Sequence, residues 1–145
     1  MDMETLSGLV GEDILCHSER ILAMCNAPYA AASGIELVRA DAGRVSMRRE
    51  VRPEDLNSNG VAHGAVTYGL ADHAFAVACN ISGDAVGLSC NITYHRPCPT
   101  GSLEAEAEVV NESRSLVTVY VRVTSGGRLI ATADCIGFKK GAGRS

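Results

Sequence analysis

From Ala62 to Ile81 the chain reads AHGAVTYGLADHAFAVACNI, and its apolar residues run nearly all the way round a helix. Such a rod must be covered on most of its sides. A single sheet covers only one side, and a chain of 145 residues has little left to build another layer. A second copy of the chain is therefore expected against the remaining side. The small residues Gly64, Ala65, Gly69, Ala71, Ala74, Ala76 and Ala78 allow that close approach. The stretch is about as long as a bilayer is thick. Asp72 and His73 lie at its centre, however, where ionisable groups are costly in lipid. Burial in protein, with no membrane partner, is the expectation.

The remaining segments alternate with the period of strands. Gly34–Ala40 and Arg44–Val51 flank a turn at Asp41-Ala42-Gly43 and read as a hairpin, with Val45, Met47 and Val51 on one face. Residues 52–60 form a polar connector. After the break at Ser82-Gly83-Asp84 come four strand-like stretches: Ala85–Arg96, Ser102–Val110, Ser115–Thr124 and Arg128–Phe138. They are expected to form a meander. Upstream, apolar residues at 14, 15, 21, 22 and 25 predict one amphipathic helix over Glu12–Asn26, about residues 12–27, stopped by Pro28. The simplest packing is α+β, one long helix covering one antiparallel sheet. This is a single domain spanning 1–145, with a core over about 30–140 and a disordered tail at 141–145.

Composition is ordinary for a globular domain, 46% hydrophobic and 21% charged. The net charge of −4, scarce aromatics and absent Trp give no footing for nucleic acid. The acidic start, MDMETLSGLVGEDILCHSER, does not read as a secretory signal. Six cysteines contain no C-x-x-C pair and no zinc-type spacing, so no metal is expected. They read as reduced thiols of a cytoplasmic protein. No G-x-G-x-x-G follows a strand, so no nicotinamide cofactor is expected either.

The polar residues around the rod are the candidates for chemistry. His63 and Asp72 are nine residues apart, which in a helix is about 900° and about 13 Å. They lie on opposite faces and cannot meet within one chain. If both serve one site, two chains must supply it. Asp72 shares its face with Ala65, Tyr68, Gly69, Phe75, Ala76 and Cys79. A carboxylate there should be hydrogen-bonded, paired or raised in pKa. That suits a catalytic base or nucleophile, and equally a structural Asp held by backbone or an Arg. Gly64 falls in the first helical turn, where its N–H lacks an intrahelical partner and the dipole is positive. The result is an oxyanion-hole arrangement, or simply a Gly that fits tight packing. Asn57 could orient a water, or could make an ordinary Asx-turn.

Taken together, Asn57-x5-His63-Gly64-x7-Asp72 within LNSNGVAHGAVTYGLADHAFAVACN resembles the phenylacetate-degradation (PaaI-like) type of hotdog-fold acyl-CoA thioesterase. SCNITYHRPCPTGSLEAEAEVV and ATADCIGFKK extend the likeness. The resemblance implies a hotdog fold, an antiparallel sheet wrapped round one long helix. It implies hydrolysis of an aryl- or fatty acyl-CoA thioester, with no cofactor beyond the coenzyme A of the substrate, in a homodimer that pairs into a homotetramer. By motif, Asp72 is nucleophile or general base and Gly64 donates to the thioester oxygen. His63 helps place that carbonyl, and Asn57 orients the attacking group. Ala65 stands where many members carry a second Gly. Ala65, Tyr68, Ser89 and Arg96 are expected to line the substrate site. Arg96, Lys139, Lys140, Arg48 and Arg49 are candidates for the coenzyme A phosphates. His73 has no transferable role. Two other readings use the same ligand class, namely a non-catalytic acyl-CoA-binding hotdog module and a hotdog dehydratase or hydratase.

Overall fold

The computed structural model describes residues 1–141. The tail expected to be disordered falls, from residue 142 on, outside the described residues. Six strands form one antiparallel sheet: β1 (Glu36–Asp41), β2 (Arg44–Glu50), β3 (Ala85–Tyr94), β4 (Ser102–Glu112), β5 (Leu116–Ser125) and β6 (Arg128–Lys139). Their spatial order is β1-β2-β4-β5-β6-β3. Helix α4 (Gly64–Asn80) packs against β2, β3, β4, β5 and β6. One straight rod can touch five strands only if the sheet curls round it, which is the α+β hotdog architecture.

The alternation explains why the sheet closes on the rod. On β5, Val117, Val119, Val121 and Val123 all point inward and are buried. Their neighbours on β4 and β6 are small: Val121 sits between Ala107 and Ala133, and Val123 between Ala105 and Ala131. Branched side chains flanked by alanines leave a trough, and α4 fills it with Leu70, Ala71, Ala74, Val77 and Ala78. The outer face of β4 carries Glu104, Glu106 and Glu108, with Arg44 of β2 placed 3.4 Å from Glu108. Asn80 ends the helix. Its side chain donates to the Ala76 carbonyl at 2.8 Å and accepts from the Ala85 N–H at 2.7 Å, which turns the chain directly into β3.

The expected four-strand meander is corrected by the sheet order. Only β4, β5 and β6 follow one another; β3 lies on the far edge, beside β6. The link 95–101 crosses the end of the sheet. Its course is fixed by Ile130 O, which accepts from His95 and Arg96 N–H, by Cys98 O, which accepts from Ala62 N–H, and by Gly101 O, which accepts from Val51 N–H. Pro97 and Pro99 have no N–H to give and favour an extended run across that end. As an edge strand β3 also loses half its cover. Val86 is 41% and Leu88 60% exposed.

The single N-terminal helix expected over Glu12–Asn26 is also corrected. A short helix α1 (Met3–Ser7) precedes a 3-10 turn at Glu12–His17, and only then comes α2 (Ser18–Cys25). At the junction the Ser18 hydroxyl donates to the Leu15 carbonyl at 2.7 Å, a local bond that competes with the helical ladder. Pro28 ends α2 but also opens α3 (Pro28–Ser33), because Pro suits the first helical position. Gly34 closes α3 in the left-handed region, at φ 67°. Gly11 N–H to Ala40 O and Ala40 N–H to Leu9 O, both 2.8 Å, pin this N-terminal layer to β1.

Candidate active site

The loop before α4 is built on a buried ion pair. Along β2 the inward positions are Val45, Met47 and then Arg49, which is 4% exposed. A guanidinium driven inward by strand register needs a counter-charge, and Asp55, 8% exposed, lies 2.8 Å away. The Asp55 carboxylate also accepts the Arg52 N–H at 2.9 Å. Burial pushes the Asp55 carboxyl up, but the Arg52 hydrogen bonds and the Arg49 charge outweigh it and the pKa ends below the ordinary value. A depressed carboxyl stabilises the fold fully above the unfolded pKa, about 3.9, and loses that contribution as pH falls through the folded value. The stability gap between wild type and Asp55→Asn should therefore be constant near neutrality and shrink below about pH 4. Thermal melts across that range check it; a gap that widens on acidification would contradict the assignment.

Asp55 carries this order to the helix start. Its carbonyl accepts the His63 N–H at 2.8 Å. Between them, the side-chain oxygen of Asn57 accepts from Asn59 N–H at 2.9 Å and Val61 N–H at 3.3 Å, closing an Asx-turn. With that oxygen occupied, the amide N–H groups of Asn57 are what it can offer a water or carboxylate. His63 caps α4: its Nδ1 accepts from Ala65 N–H at 3.1 Å. An accepting Nδ1 leaves the ring proton on Nε2, where it can donate outward.

The first-turn N–H groups are thus spoken for one by one. Ala65 gives to the His63 ring and Val66 gives to the His63 carbonyl at 2.9 Å. Gly64 N–H has no protein acceptor among the described residues. Gly64 lines a cleft of about 280 Å³ together with Ala62, Thr67, Tyr94, Arg96 and Ile130, among others. Arg96 reaches from here into a neighbouring cleft of about 400 Å³ that also holds Arg128. Its guanidinium donates to the Leu129 carbonyl at 3.0 Å.

Asp72 lies elsewhere. It is exposed on the outward stripe of α4 with Ala65 and Tyr68, about 12 Å along the axis from Gly64. Among the described residues no ion pair holds it. Desolvation by the flanking protein raises its pKa, and the His73 charge works against that rise. Tyr68, one turn before it, is held protonated by the Cys90 thiol first, then by burial and the Asp72 charge. His73 turns the other way, partly buried, and burial lowers its pKa.

Of the residues singled out from sequence, Asn57, His63 and Gly64 come together at one end of α4. Asp72 and Tyr68 share another region, and Ser89 sits half-buried on β3. Arg49 is corrected: it is buried against Asp55 and cannot meet a phosphate. Arg48 is tied to Glu36 at 3.2 Å and Lys139 to Glu112 at 2.8 Å, both near the surface. Arg128 and Tyr94 are site residues that the sequence does not single out. By period alone Tyr94 is one more apolar position of β3.

Comparison with known proteins agrees with this geometry. The thioesterase superfamily model matches residues 59–132, from the Asx-turn into the first part of β6. The acyl-coenzyme A thioesterase PaaI of Escherichia coli is 36% identical over 91 residues, 61% of this chain and 65% of that one. The matched stretch thus spans just under two thirds of that relative. Among solved structures, a mutant of the phenylacetic acid degradation protein PaaI from Thermus thermophilus is 41% identical, with TM-score 0.76 over 77% of this chain and 98% of that one. The E. coli PaaI structure is 26% identical, with TM-score 0.82 over 89% and 94%. A curled sheet round one long helix, shared with these structures, is a hotdog domain. The chain belongs to the thioesterase superfamily, among its PaaI-like members.

Proposed function

We propose that this chain hydrolyses aryl- or fatty acyl-CoA thioesters in a site shared by two copies. One observation carries the reading: among the described residues the Gly64 N–H at the positive end of α4 has no protein acceptor, while the exposed Asp72, held by no ion pair, stands about 12 Å away along the same rod. Each half of the chemistry needs the other half from a second chain. Water is placed by the Asn57 amide and the Asp72 carboxylate, which takes its proton. The hydroxide oxygen adds to the thioester carbonyl, and the oxyanion is received by Gly64 N–H and the helix dipole, with His63 Nε2–H beside it. The C–S bond then breaks. The leaving thiol, with a pKa near about 8.5 by analogy with Cys, departs as thiolate and needs little acid assistance. A carboxyl raised by desolvation is a better base than a free Asp, so the acid limb of kcat/KM should fall above the ordinary Asp value of about 3.9.

The second copy is offered a place by β3. Among the described residues its outer edge is unpaired, ten residues long, and carries Val86 and Leu88. Such an edge invites another strand, and a two-fold pairing of β3 with its own copy makes one continuous sheet with the two α4 rods facing one another. We extend this to a tetramer of two such dimers, working in the cytoplasm, where the six free thiols stay reduced. Arg96 and Arg128, in adjoining clefts, are the groups we assign to the coenzyme A phosphates.

The test is turnover of phenylacetyl-CoA and a fatty acyl-CoA series by thiol release. Binding across the series without turnover would favour a carrier or sensor. Leu88→Arg tests the assembly: light scattering should show a folded monomer, with thioester cleavage lost. A cleaving monomer refutes the shared site.

A further inference from the structure

The Gly64 amide is useful only if it points one way, and glycine is the residue least able to hold a direction by itself. The fold supplies the restraint from β3. The Tyr94 hydroxyl donates to the Gly64 carbonyl at 3.0 Å. Its ring covers the side of Gly64 where a side chain would be: a Cβ there would lie 3.2 Å from Tyr94 Cζ and 3.3 Å from its oxygen. The ring is anchored in turn. Tyr94 is the last residue of β3, in register with Ala131, and the next two N–H groups both donate to Ile130 O. His95 Nε2 and Thr132 Oγ1 close the same strand end at 2.8 Å. Yet Tyr94 remains 51% exposed. A phenol with half its surface in water is not there to fill a core; it forms a wall of the cleft that Gly64 also lines.

We infer that Tyr94 is a positioning residue, which holds Gly64 from its carbonyl and its open face and so steadies the helix start that presents the Gly64 N–H to a thioester oxygen. The role rests on the thioesterase reading given above. It also bears on Gly64 from this side of the backbone: a side chain there would press on the ring that steadies it and push it a few tenths of an ångström aside.

The experiment compares wild type with Tyr94→Phe, Tyr94→Leu, Gly64→Ala and the Gly64→Ala/Tyr94→Leu double variant, using phenylacetyl-CoA. Tyr94→Phe keeps the ring and removes one neutral hydrogen bond. It should lower kcat by about two- to tenfold with KM unchanged. Gly64→Ala should lower kcat further in wild type than in the Tyr94→Leu background, where the added methyl has room. In 15N relaxation, Gly64 should behave as rigid backbone in wild type, with an order parameter near about 0.85, and fall clearly below that in Tyr94→Leu. Equal kcat for wild type and Tyr94→Phe, or an unchanged Gly64 order parameter, would overturn the inference. The relaxation measurement needs no turnover, so it decides the role of Tyr94 even if no thioester is cleaved. Loss of the thioesterase reading would show separately, as absent turnover by the wild type.

Discussion

Asp72→Asn is expected to lower kcat by about 10²–10⁴-fold, the range for removing a positioned general base, with KM little altered. The amide keeps the shape of the carboxylate but cannot take a proton from water. Because no ion pair holds Asp72 among the described residues and its outer side is open, the variant should melt where the wild type does. Loss of rate can then be read as loss of chemistry. The choice between proton removal and direct attack is open to a single turnover in 18O-water. Attack by Asp72 would leave label in the side chain after the mixed anhydride is hydrolysed there; general-base catalysis would put it only in the released acid. Near-normal turnover by Asp72→Asn would remove the proposed mechanism altogether.

The second large effect concerns stability. Asp55→Ala should destabilise the fold by about 3–5 kcal/mol, as expected when one member of a buried pair is removed and the other is left charged in the interior. Arg49 is already short of partners, since its Nε has none in the structure. The companion variant Arg49→Met/Asp55→Ala should recover a large share of the loss, because it leaves no stranded charge. Urea midpoints of the three proteins provide the check. If the single variant proves as stable as wild type, the pair is not what holds the loop. Activity should follow stability here, since the Asp55 carbonyl fixes His63 and the same loop carries Asn57.

Much of this fold can be read from period alone. The valines of β5 and the alanines of β4 and β6 alternate without interruption, and the α4 segment announces its own burial through an apolar circumference. What period cannot give is the partner of each strand. The helix-to-β3 turn and the proline-bearing link after it look the same whether β3 neighbours β4 or β6; the choice is made by long-range hydrogen bonds to Ile130 and Ala62. The N-terminal layer departs from expectation for a local reason. A hydroxyl at Ser18 and a Pro at 28 split one amphipathic pattern into separate turns.

At the site, the clustering of Asn57, His63 and Gly64 is legible because all three lie close in sequence about one helix start. Arg49 is misplaced by a reading that looks only at charge, although a signal is present. Counting by twos from Val45 through Met47 arrives at it, so its side chain has to point inward. Tyr94 carries no such mark. Its importance comes from a neighbour thirty residues away, and an aromatic at a strand end draws no notice until the residue beneath it is known to be glycine.

The spacing of Asp72 and Gly64 along one rigid rod has a genetic consequence. In the shared site proposed above, a chain crippled at position 72 and a chain crippled at position 64 would each be inert when paired with themselves. Paired with each other, they gather both defects into one of the two sites and leave the other whole. Co-expressing the two dead alleles should therefore restore part of the lost activity, and a cell carrying one faulty copy should lose only that copy's share.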